Sequence, residues 1–358
     1  MTHTSAARLT FAQAIRRGIP TRLAWARRQD RLGLVVSVLF LAAGLFAASM
    51  VSSRPMLDLV FRVLMWACLA SAWNIIGGLG GQLSLGHAVF YGLGAYGTAL
   101  ILTHTELPTV VGVLAGGVAA CALGIAVGLV GLRLKGPFFA MATFVMGVAF
   151  ATLALNLAGL TGGSFGLALP IESGPWYQLV FDDPRVYVYL VTGLLAVVLL
   201  ASFALRYSKM GLDLMASRSD VDAAAAMGID VLRVRLIATV LSAFLTAMVG
   251  ALDALYLLFV DPNSVFGLTV STQIVFIALI GGLGSLAGPL LGALLVIPVQ
   301  DQLSSLLAGG RAGVSGLLTG IVLLAVVLLA PSGLWGGLEW VERKLRSVRD
   351  SLLRRSHD

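Results

Sequence analysis

Charged residues are scarce in this chain. Asp, Glu, Lys and Arg together make up 11% of its 358 residues, whereas 58% of the residues are hydrophobic and the mean hydropathy is +0.96. Soluble domains carry about 25% charged residues. So little charge excludes an ordinary soluble protein and indicates a polytopic membrane protein.

Residues for covalent or metal chemistry are also few. The two cysteines, Cys68 and Cys121, lie in apolar runs, and the four histidines are dispersed. This pattern excludes a disulfide framework and offers no metal site. The phosphate-binding pattern GxxxxGK[ST] does not occur, so the chain cannot hydrolyse ATP by that route. We therefore expect no catalytic residues, and no metal or cofactor bound by this chain.

Long apolar runs predict an all-α protein with about ten membrane helices, and eight or nine are the alternatives. The predicted spans are 33–52, 57–77, 83–103, 109–131, 137–158, 186–205, 236–259, 268–281, 286–300 and 312–331. The eighth and ninth are short and flank GGLGS (281–285). They are either half-helices or a re-entrant pair, so short or broken helices are expected there.

The basic residues set the predicted orientation. When the ten spans are counted alternately, twenty of the 24 Lys and Arg residues fall on one side. Cytoplasmic loops carry such an excess, so both termini are expected in the cytoplasm of a bacterial inner membrane protein. The domains are then a basic segment 1–32, a transmembrane domain 33–336 and a basic tail 337–358. The net charge of +7 thus indicates topology and contact with lipid headgroups, not nucleic acid.

Glycine is abundant where a soluble helix would avoid it. Residues 77–96, GGLGGQLSLGHAVFYGLGAY, contain seven glycines. Small residues let helices pack closely in lipid, so Ser84, Ala88 and Gly92, four apart, predict a smooth helix face. GxxxG-like spacings in 112–128 and 284–292 predict further close contacts. IIGGLG (75–80) recurs as LIGGLG (279–284), which is either a diverged internal repeat or a chance recurrence.

Polar residues inside predicted spans are candidates for function because they are costly in a bilayer. Those predicted for the substrate pathway, with helix packing as the alternative, are Ser84, His87, Tyr91 and Tyr96. Thr161, Gly162 and Gly163, in the predicted outer loop TGGSFG (161–166), either line the pathway, hold an anionic group or form a plain turn.

Other polar residues are expected to bond between helices. Asn74 and Asn156 are predicted interhelical hydrogen-bond donors, with contact to the substrate as the alternative. Asp58 and Arg62, four apart near the outer end of the second predicted span, are a candidate local pair. For Asp253 three states are open: pairing with Arg62, facing water, or remaining protonated.

The longest predicted cytoplasmic loop is 206–235. Ser219 with Asp222 three residues later predicts a capped helix at about 220–227, ended by Gly228. A short capped helix in this position is either a rigid contact for a cytoplasmic partner or a solvated loop helix.

Six segments together resemble the LivM-type permease subunits of bacterial ABC importers for branched-chain amino acids. They are NIIGGLGGQLSLGHAVFYGLGAY (74–96), LRLKGPFFAMATF (132–144), TGGSFGL (161–167), SKMGLDLMASRSDVDAAAAMGID (208–230), GGLGSLAGPLLGA (281–293) and LLAPSGLWG (328–336). The segments occur in the family's order and are specific as a set.

The resemblance implies that this chain works with further subunits. A LivH-type second permease, two cytoplasmic ATPases that use ATP and Mg, and a periplasmic substrate-binding protein would complete the importer. It also implies that the helix within 217–230 docks on the ATPase. The residues implied in this coupling are Arg218, Asp220, Asp222, Ala223, Ala224 and Gly228. Many members have Glu in place of Asp222 and a bulkier charged pair near Arg218–Asp220, so the resemblance does not fix the individual ATPase contacts.

Other functions remain open at this point. The same family includes permeases for urea, short amides and other amino acids. An ion-coupled secondary transporter would use intramembrane acids such as Asp253, and a non-transporting scaffold or sensor is the third alternative.

Overall fold

The computed structural model describes residues 32–131, 134, 137–169, 176–306, 320–321 and 333–337. Within these ranges the protein is almost entirely helical. The helices are α1 Leu32–Met50, α2 Arg54–Asn74, α3 His87–His104, α4 Thr109–Gly131, α5 Pro137–Asn156, α6 Ala158–Thr161, α7 Pro184–Tyr207, α8 Lys209–Ser219, α9 Val221–Ala226, α10 Val231–Leu257, α11 Pro262–Val265, α12 Leu268–Gly281 and α13 Gly288–Leu306. Two short strands, β1 Leu167–Ala168 and β2 Phe259–Val260, pair antiparallel, with Leu167 opposite Val260.

Within the described residues, seven helical segments are long and apolar enough to cross a bilayer. They are Leu32–Met50, Arg54–Leu79, Thr109–Leu129, Pro137–Asn156, Pro184–Tyr207, Val231–Leu257 and Pro262–Gly281. The chain is therefore an all-α polytopic membrane protein. Helices α3 and α13 occupy two more of the predicted ranges. The tenth predicted span, 312–331, lies outside the described residues except for 320–321, as do the basic segment 1–31 and the tail from 338.

Burial separates central helices from peripheral ones. Along the apolar 18-residue stretch of the span that contains α2, 78% of the residues are buried, against 22% in that of α1 and 28% in those of α4 and α5. Helix α3 packs between α4 and α10, and α2 packs against α7, α12 and α13. The fully buried side chains include Trp73, Phe61 and Phe90. The exposed apolar faces of α1, α4 and α5 are those that a bilayer or another membrane subunit can cover.

The glycines of α3 allow its neighbours to approach. A Cβ added to Gly94 would lie 1.9 Å from the Ala247 carbonyl oxygen of α10, and one on Gly250 would lie 2.0 Å from the Tyr91 carbonyl oxygen of α3. On another side of α3, a Cβ on Gly116 of α4 would lie 2.9 Å from Gly94 Cα. The predicted close packing of small residues is thus confirmed at both contacts.

The predicted helix face was wrong in one residue, Ser84. Helix α3 begins only at His87, and residues 81–86 are not helical. Gly81 adopts φ +68°, and the Gln82 N–H donates back to the Ile76 carbonyl at 3.1 Å. The Ser84 hydroxyl accepts from the Gly86 N–H at 3.4 Å, a local bond that competes with helix formation.

The two glycine-rich turns lie against each other. After α2 the chain forms a π-helical turn, Ile75–Leu79, and the second turn follows α12. Asn74 joins them, because its Nδ2 donates to the Ser285 carbonyl at 2.9 Å and its Oδ1 accepts from the Gly284 N–H at 2.9 Å. The break predicted near 281–285 therefore separates α12 from α13. The predicted ninth span, however, is not short, since α13 continues to Leu306.

Asn156 was predicted to bond between helices, and this prediction was wrong. Its Nδ2 donates to the Thr152 carbonyl of its own helix at 2.8 Å, and its side chain lies at an exposed position. Asn74, by contrast, does donate to another segment, as predicted. The two residues differ because Asn74 lies where two buried turns meet, whereas Asn156 ends a peripheral helix.

The segments predicted to share a side of the membrane come together in the structure. Arg185, at the start of α7, donates to the Ser52 hydroxyl at 3.1 Å, and β1 pairs with β2 at that same end. The glycine turns and α8 lie at the opposite end of the 24-residue helix α7. Following the predicted orientation, we call these the outer end (51–54, 182–185 and 257–264) and the inner end (75–85, 206–230 and 281–287).

Candidate functional site

The inner end presents a pair of short helices. Of the predicted loop 206–235, most is helical, because α7 continues to Tyr207 and α8 and α9 follow before α10 begins at Val231. The short helix predicted at about 220–227 is α9. The sequence interpretation missed α8, although Ser208 offers a cap for it, with its Oγ accepting from the Gly211 N–H at 3.0 Å.

Helix α9 has a different N-cap from the one predicted. Asp220, not Ser219, has the extended backbone of a cap, and its Oδ1 accepts from the Asp222 N–H at 2.9 Å and the Ala223 N–H at 3.0 Å. Ser219 ends α8, and its hydroxyl donates to the Met215 carbonyl at 3.4 Å. A carboxylate is a strong acceptor for the free N–H groups at the start of a helix. It therefore favours a helix that begins after Asp220 over one that begins after Ser219.

Gly228 ends α9, as predicted. Its φ is +84°, its N–H donates to the Ala225 carbonyl at 2.9 Å, and the Ile229 N–H donates to the Ala224 carbonyl at 3.1 Å. This is the bonding pattern of a Schellman motif, which places a left-handed residue just after the helix. Glycine adopts that conformation without strain. The end of α9 is therefore defined by the sequence at a single position.

The residues predicted for ATPase coupling divide by exposure. Asp220, Asp222, Ala223 and Gly228 are exposed, so a partner can reach them. Ala224 is 1% exposed and packs inside this chain. The sequence interpretation also missed Met227, which is 72% exposed beside Gly228. The signal that could have identified it is a long apolar side chain in a predicted cytoplasmic loop.

Arg218, also predicted for coupling, turns toward its own chain. Its Nη1 donates to the Gly78 carbonyl in the first glycine turn. Arg206, at the end of α7, donates in the same way to the Gly284 carbonyl in the second turn. Both turns are thus hydrogen-bonded to the segment that carries α9. Sequence spacing gave no indication of these contacts, since 140 and 78 residues separate the partners.

His87 and Ser84 form a closed network between helices. His87 Nδ1 lies 3.1 Å from Ser84 Oγ, and its Nε2 lies 2.8 Å from Ser242 Oγ of α10. Ser242 donates its own proton to the Ala72 carbonyl at 2.7 Å, so it accepts from the Nε2–H of His87. Both residues are buried, His87 at 1% and Ser84 at 2% exposure. Of the two alternatives for these residues, this geometry favours packing.

Tyr96 lies against the loop that contains Thr161. Its hydroxyl donates to the Thr161 carbonyl at 3.4 Å, and its ring stacks on Phe266 with centroids 5.6 Å apart. Gly162 and Gly163 have φ values of +74° and +56°, so the chain bends sharply here. Their N–H groups donate to the Ala158 carbonyl and to Thr161 Oγ1. Because both donors are used within the loop, its geometry favours the plain turn over an anion site.

Tyr91 is the predicted pathway residue that reaches open space. It borders a cavity of about 710 Å³ at the outer end, between α2, α3, α7 and α10. The charged side chains of the lining are two arginines and three carboxylates: Arg54, Arg62, Asp58, Asp182 and Asp253. Ser84, His87 and Tyr96 do not line this cavity. Ser84, His87, Tyr91 and Tyr96 therefore do not form one continuous site.

The charged residues of the outer cavity have partners that differ from those predicted. Asp58 accepts from the Tyr256 hydroxyl, and Arg62 forms a salt bridge with Asp301 of α13. The predicted pair of Asp58 with Arg62 was therefore wrong. Asp253 does not pair with Arg62 either, because its Oδ2 accepts from the Tyr91 hydroxyl. Tertiary contacts, not helix spacing, select these partners.

Comparison with known proteins gives a consistent set of relatives. The family model described as "Branched-chain amino acid transport system / permease component" matches residues 56–327. The high-affinity branched-chain amino acid permease protein LivM of Escherichia coli K12 is 29% identical over 286 residues, which cover 72% of this chain and 67% of LivM. The LivH permease protein of Salmonella typhimurium LT2 is 24% identical over 287 residues, covering 76% and 91%.

A relative with a different named solute is also found. The L-arabinose ABC transporter permease protein AraH of Azospirillum brasilense is 26% identical over 294 residues, covering 77% of this chain and 81% of AraH. No solved structure matches the chain.

Proposed function

The chain belongs to the family of permease components of branched-chain amino acid transport systems, and on that basis we propose that it forms half of the membrane pathway of an ATP-driven importer for branched-chain amino acids. The structural observation that supports an ATP-driven role is α9, an exposed, capped helix whose segment is hydrogen-bonded to two glycine turns of the membrane domain. The named substrates of the LivM and LivH relatives support the choice of solute.

The proposed assembly contains further subunits. A LivH-type second permease would supply the other half of the pathway, two cytoplasmic ATPases would bind ATP and Mg below α9, and a periplasmic binding protein would deliver the amino acid. In this arrangement both termini lie in the cytoplasm and the chain crosses the membrane about ten times. The charge distribution supports the orientation, because the inner end carries the basic loop 206–235.

The contacts suggest how force would reach the pathway. Closure of the ATPases would push on α9 and hence on α8. Arg218 would pass this movement to Gly78 at the end of α2, and Arg206 would pass it to Gly284 between α12 and α13. At Gly94 and Gly250 the two helices meet backbone to backbone, a contact along which they would slide. Access would then alternate between the two sides of the membrane.

Two variants at one position test this coupling. Gly228→Pro forces φ to about −65°, far from the observed +84°, whereas Gly228→Asn keeps a residue that tolerates the left-handed region. We expect the proline variant to lose uptake and substrate-stimulated ATPase activity in the assembled complex, and the asparagine variant to keep most of both. Ala223→Arg, which adds bulk to the exposed face of α9, should weaken co-purification of the ATPases. Full coupling in both Gly228→Pro and Ala223→Arg would contradict the role of α9.

Competition and energetics test the function itself. ATP-loaded proteoliposomes that contain the complete complex should take up labelled leucine, with isoleucine and valine as competitors and urea without effect. Ionophores that collapse ion gradients should leave uptake intact while ATP is maintained. Loss of uptake under those conditions would instead support an ion-coupled transporter that uses Asp253 or Asp58.

A further inference from the structure

The outer cavity contains an acidic group without a cationic partner. Asp253 lies in the membrane-spanning helix α10 and is 8% exposed, and it borders the cavity. Its Oδ2 accepts from the Tyr91 hydroxyl, while no hydrogen bond from the described residues reaches Oδ1. Within the described part of the chain, the salt bridge is that of Arg62 with Asp301, so Asp253 has no basic partner there. A buried carboxylate is costly unless a cation or further donors reach it.

Aromatic rings line the same cavity as this carboxylate. Phe61 and Tyr256 stack with centroids 3.8 Å apart, and Tyr187 meets Tyr256 edge-on at 5.5 Å. All three line the cavity, together with apolar side chains such as Met65 and Leu255. Aromatic faces attract ammonium groups, and the same walls can cover an aliphatic side chain.

A positive charge faces the same space. Arg54 begins α2 at the rim of the cavity, and it forms no salt bridge with the described residues. Arg62, by contrast, is occupied by Asp301. The cavity of about 710 Å³ falls within the range of ligand sites, about 300–1,000 Å³. It therefore combines a buried anion, a cation at the rim and an apolar wall.

We propose that this cavity is a binding site for the free amino acid within the permease, with the Asp253 carboxylate, positioned by Tyr91, binding its ammonium group and Arg54 attracting its carboxylate. The inference rests on the proposed function, because it supposes that an amino acid enters this end. It also narrows the solute class, since urea and short amides have no cation to offer Asp253. The permease itself would then select among solutes, after the binding protein has released its cargo.

Asp253→Asn tests the ammonium contact. The amide has the same shape and still accepts from Tyr91, but it carries no negative charge. Binding of labelled leucine would be measured at equilibrium on the complete complex in nanodiscs, without the binding protein. Loss of a charge-assisted bond should raise Kd about ten- to a hundredfold. Asp183→Asn is the matched control: it makes the same change at the same end, and asparagine can still cap α7 through the Arg185 N–H.

A leucine analogue gives a second measurement that needs no variant. 4-Methylpentanoate lacks the ammonium group, so the unaltered complex should bind it at least tenfold more weakly than leucine. In Asp253→Asn that preference should shrink toward equality. If Asp253→Asn fails to assemble, the preference of the unaltered complex for leucine over 4-methylpentanoate still tests whether the ammonium group is bound. Equal binding of the two compounds, or an unchanged Kd in an assembled Asp253→Asn complex, would overturn the proposal.

Leucine uptake distinguishes a failure of the proposed function from a failure of the proposed binding site. If the unaltered complex imports no leucine, the proposed function is wrong. If it imports leucine with ATP but the Asp253 tests fail, only the binding site is wrong.

Discussion

Replacing Gly250 with alanine places a methyl group against the backbone of α3. The added Cβ would lie 2.0 Å from the Tyr91 carbonyl oxygen, whereas ordinary contacts begin at 3.4 Å. The reciprocal change, Gly94→Ala, brings a Cβ to 1.9 Å from the Ala247 carbonyl oxygen. Because the obstacles are backbone atoms, no side chain can rotate away, and the two helices must separate by more than 1 Å, by the difference between these distances.

Helix α3 has little room to move aside. On its α4 side, a Cβ on Gly97 would already lie 2.6 Å from Gly116 Cα, so displacement away from α10 meets α4. Overpacking of this kind costs about 1–3 kcal/mol or more. Alanine returns about 1 kcal/mol through helix propensity. We therefore expect each substitution to lower the free energy of unfolding by up to roughly 2 kcal/mol, the difference between those two terms.

Gly193→Ala in α7 is the matched control. No described atom lies within 4 Å of a Cβ at Gly193, so only the gain in helix propensity remains. Unfolding of the purified complex by titration with a denaturing detergent, and the half-life of its uptake activity on heating, would be compared for the three variants. If Gly94→Ala or Gly250→Ala proved as stable as Gly193→Ala, close backbone contact would not explain the glycines of α3.

Three further predictions follow from hydrogen bonds. Arg218→Ala removes a charged hydrogen bond, so it should reduce the uptake rate about tenfold while the ATPases still co-purify. Arg233→Ala, at an exposed position on α10, is the control and should leave the uptake rate unchanged. Equal uptake in both variants would refute the link to Gly78. Asn74→Ala removes both bonds to the second glycine turn and should destabilise the complex by about 1–3 kcal/mol, measured by detergent unfolding, while Asn156→Ala serves as the control because that side chain bonds only within its helix. Ser242→Ala leaves His87 Nε2 without its acceptor and should lower stability by a similar 1–3 kcal/mol, yet leave the order of competing solutes unchanged; an altered order would place His87 in the pathway.

Local patterns in the sequence predicted the features that depend on local physics. Runs of apolar residues located the helices, and the aspartates before an alanine run, followed by Gly228, located α9 with its end. The error in its cap was also local, because both Ser219 and Asp220 can cap a helix and only the backbone conformation decides between them.

Partners distant in the chain could not be predicted in this way. The helical spacing of Asp58 and Arg62 suggested a pair, but Tyr256 is 198 residues from Asp58, and Asp301 is 239 residues from Arg62. Both distant partners reach α2 because α10 and α13 pack against it. The spacing of residues on one helix says nothing about which other helix will lie beside them. The side chains that line the outer cavity could therefore be identified only from the fold.

The inner end has a physical reason to bind arginine. The last carbonyl groups of a helix have no partner within it, and they carry partial negative charge. The first glycine turn leaves the Gly78 carbonyl uncovered at the π-helical end of α2, and the second leaves the Gly284 carbonyl uncovered in the turn after α12. Arg218 and Arg206 donate to these carbonyls. The acceptors are therefore the end of α2 and the turn between α12 and α13, and the donors lie at the end of α7 and in α8, which leads into α9. The bond from Arg218 both satisfies the Gly78 carbonyl and joins α8 to the first glycine turn. Helix α8 therefore cannot move far without moving that turn or leaving the carbonyl unpaired.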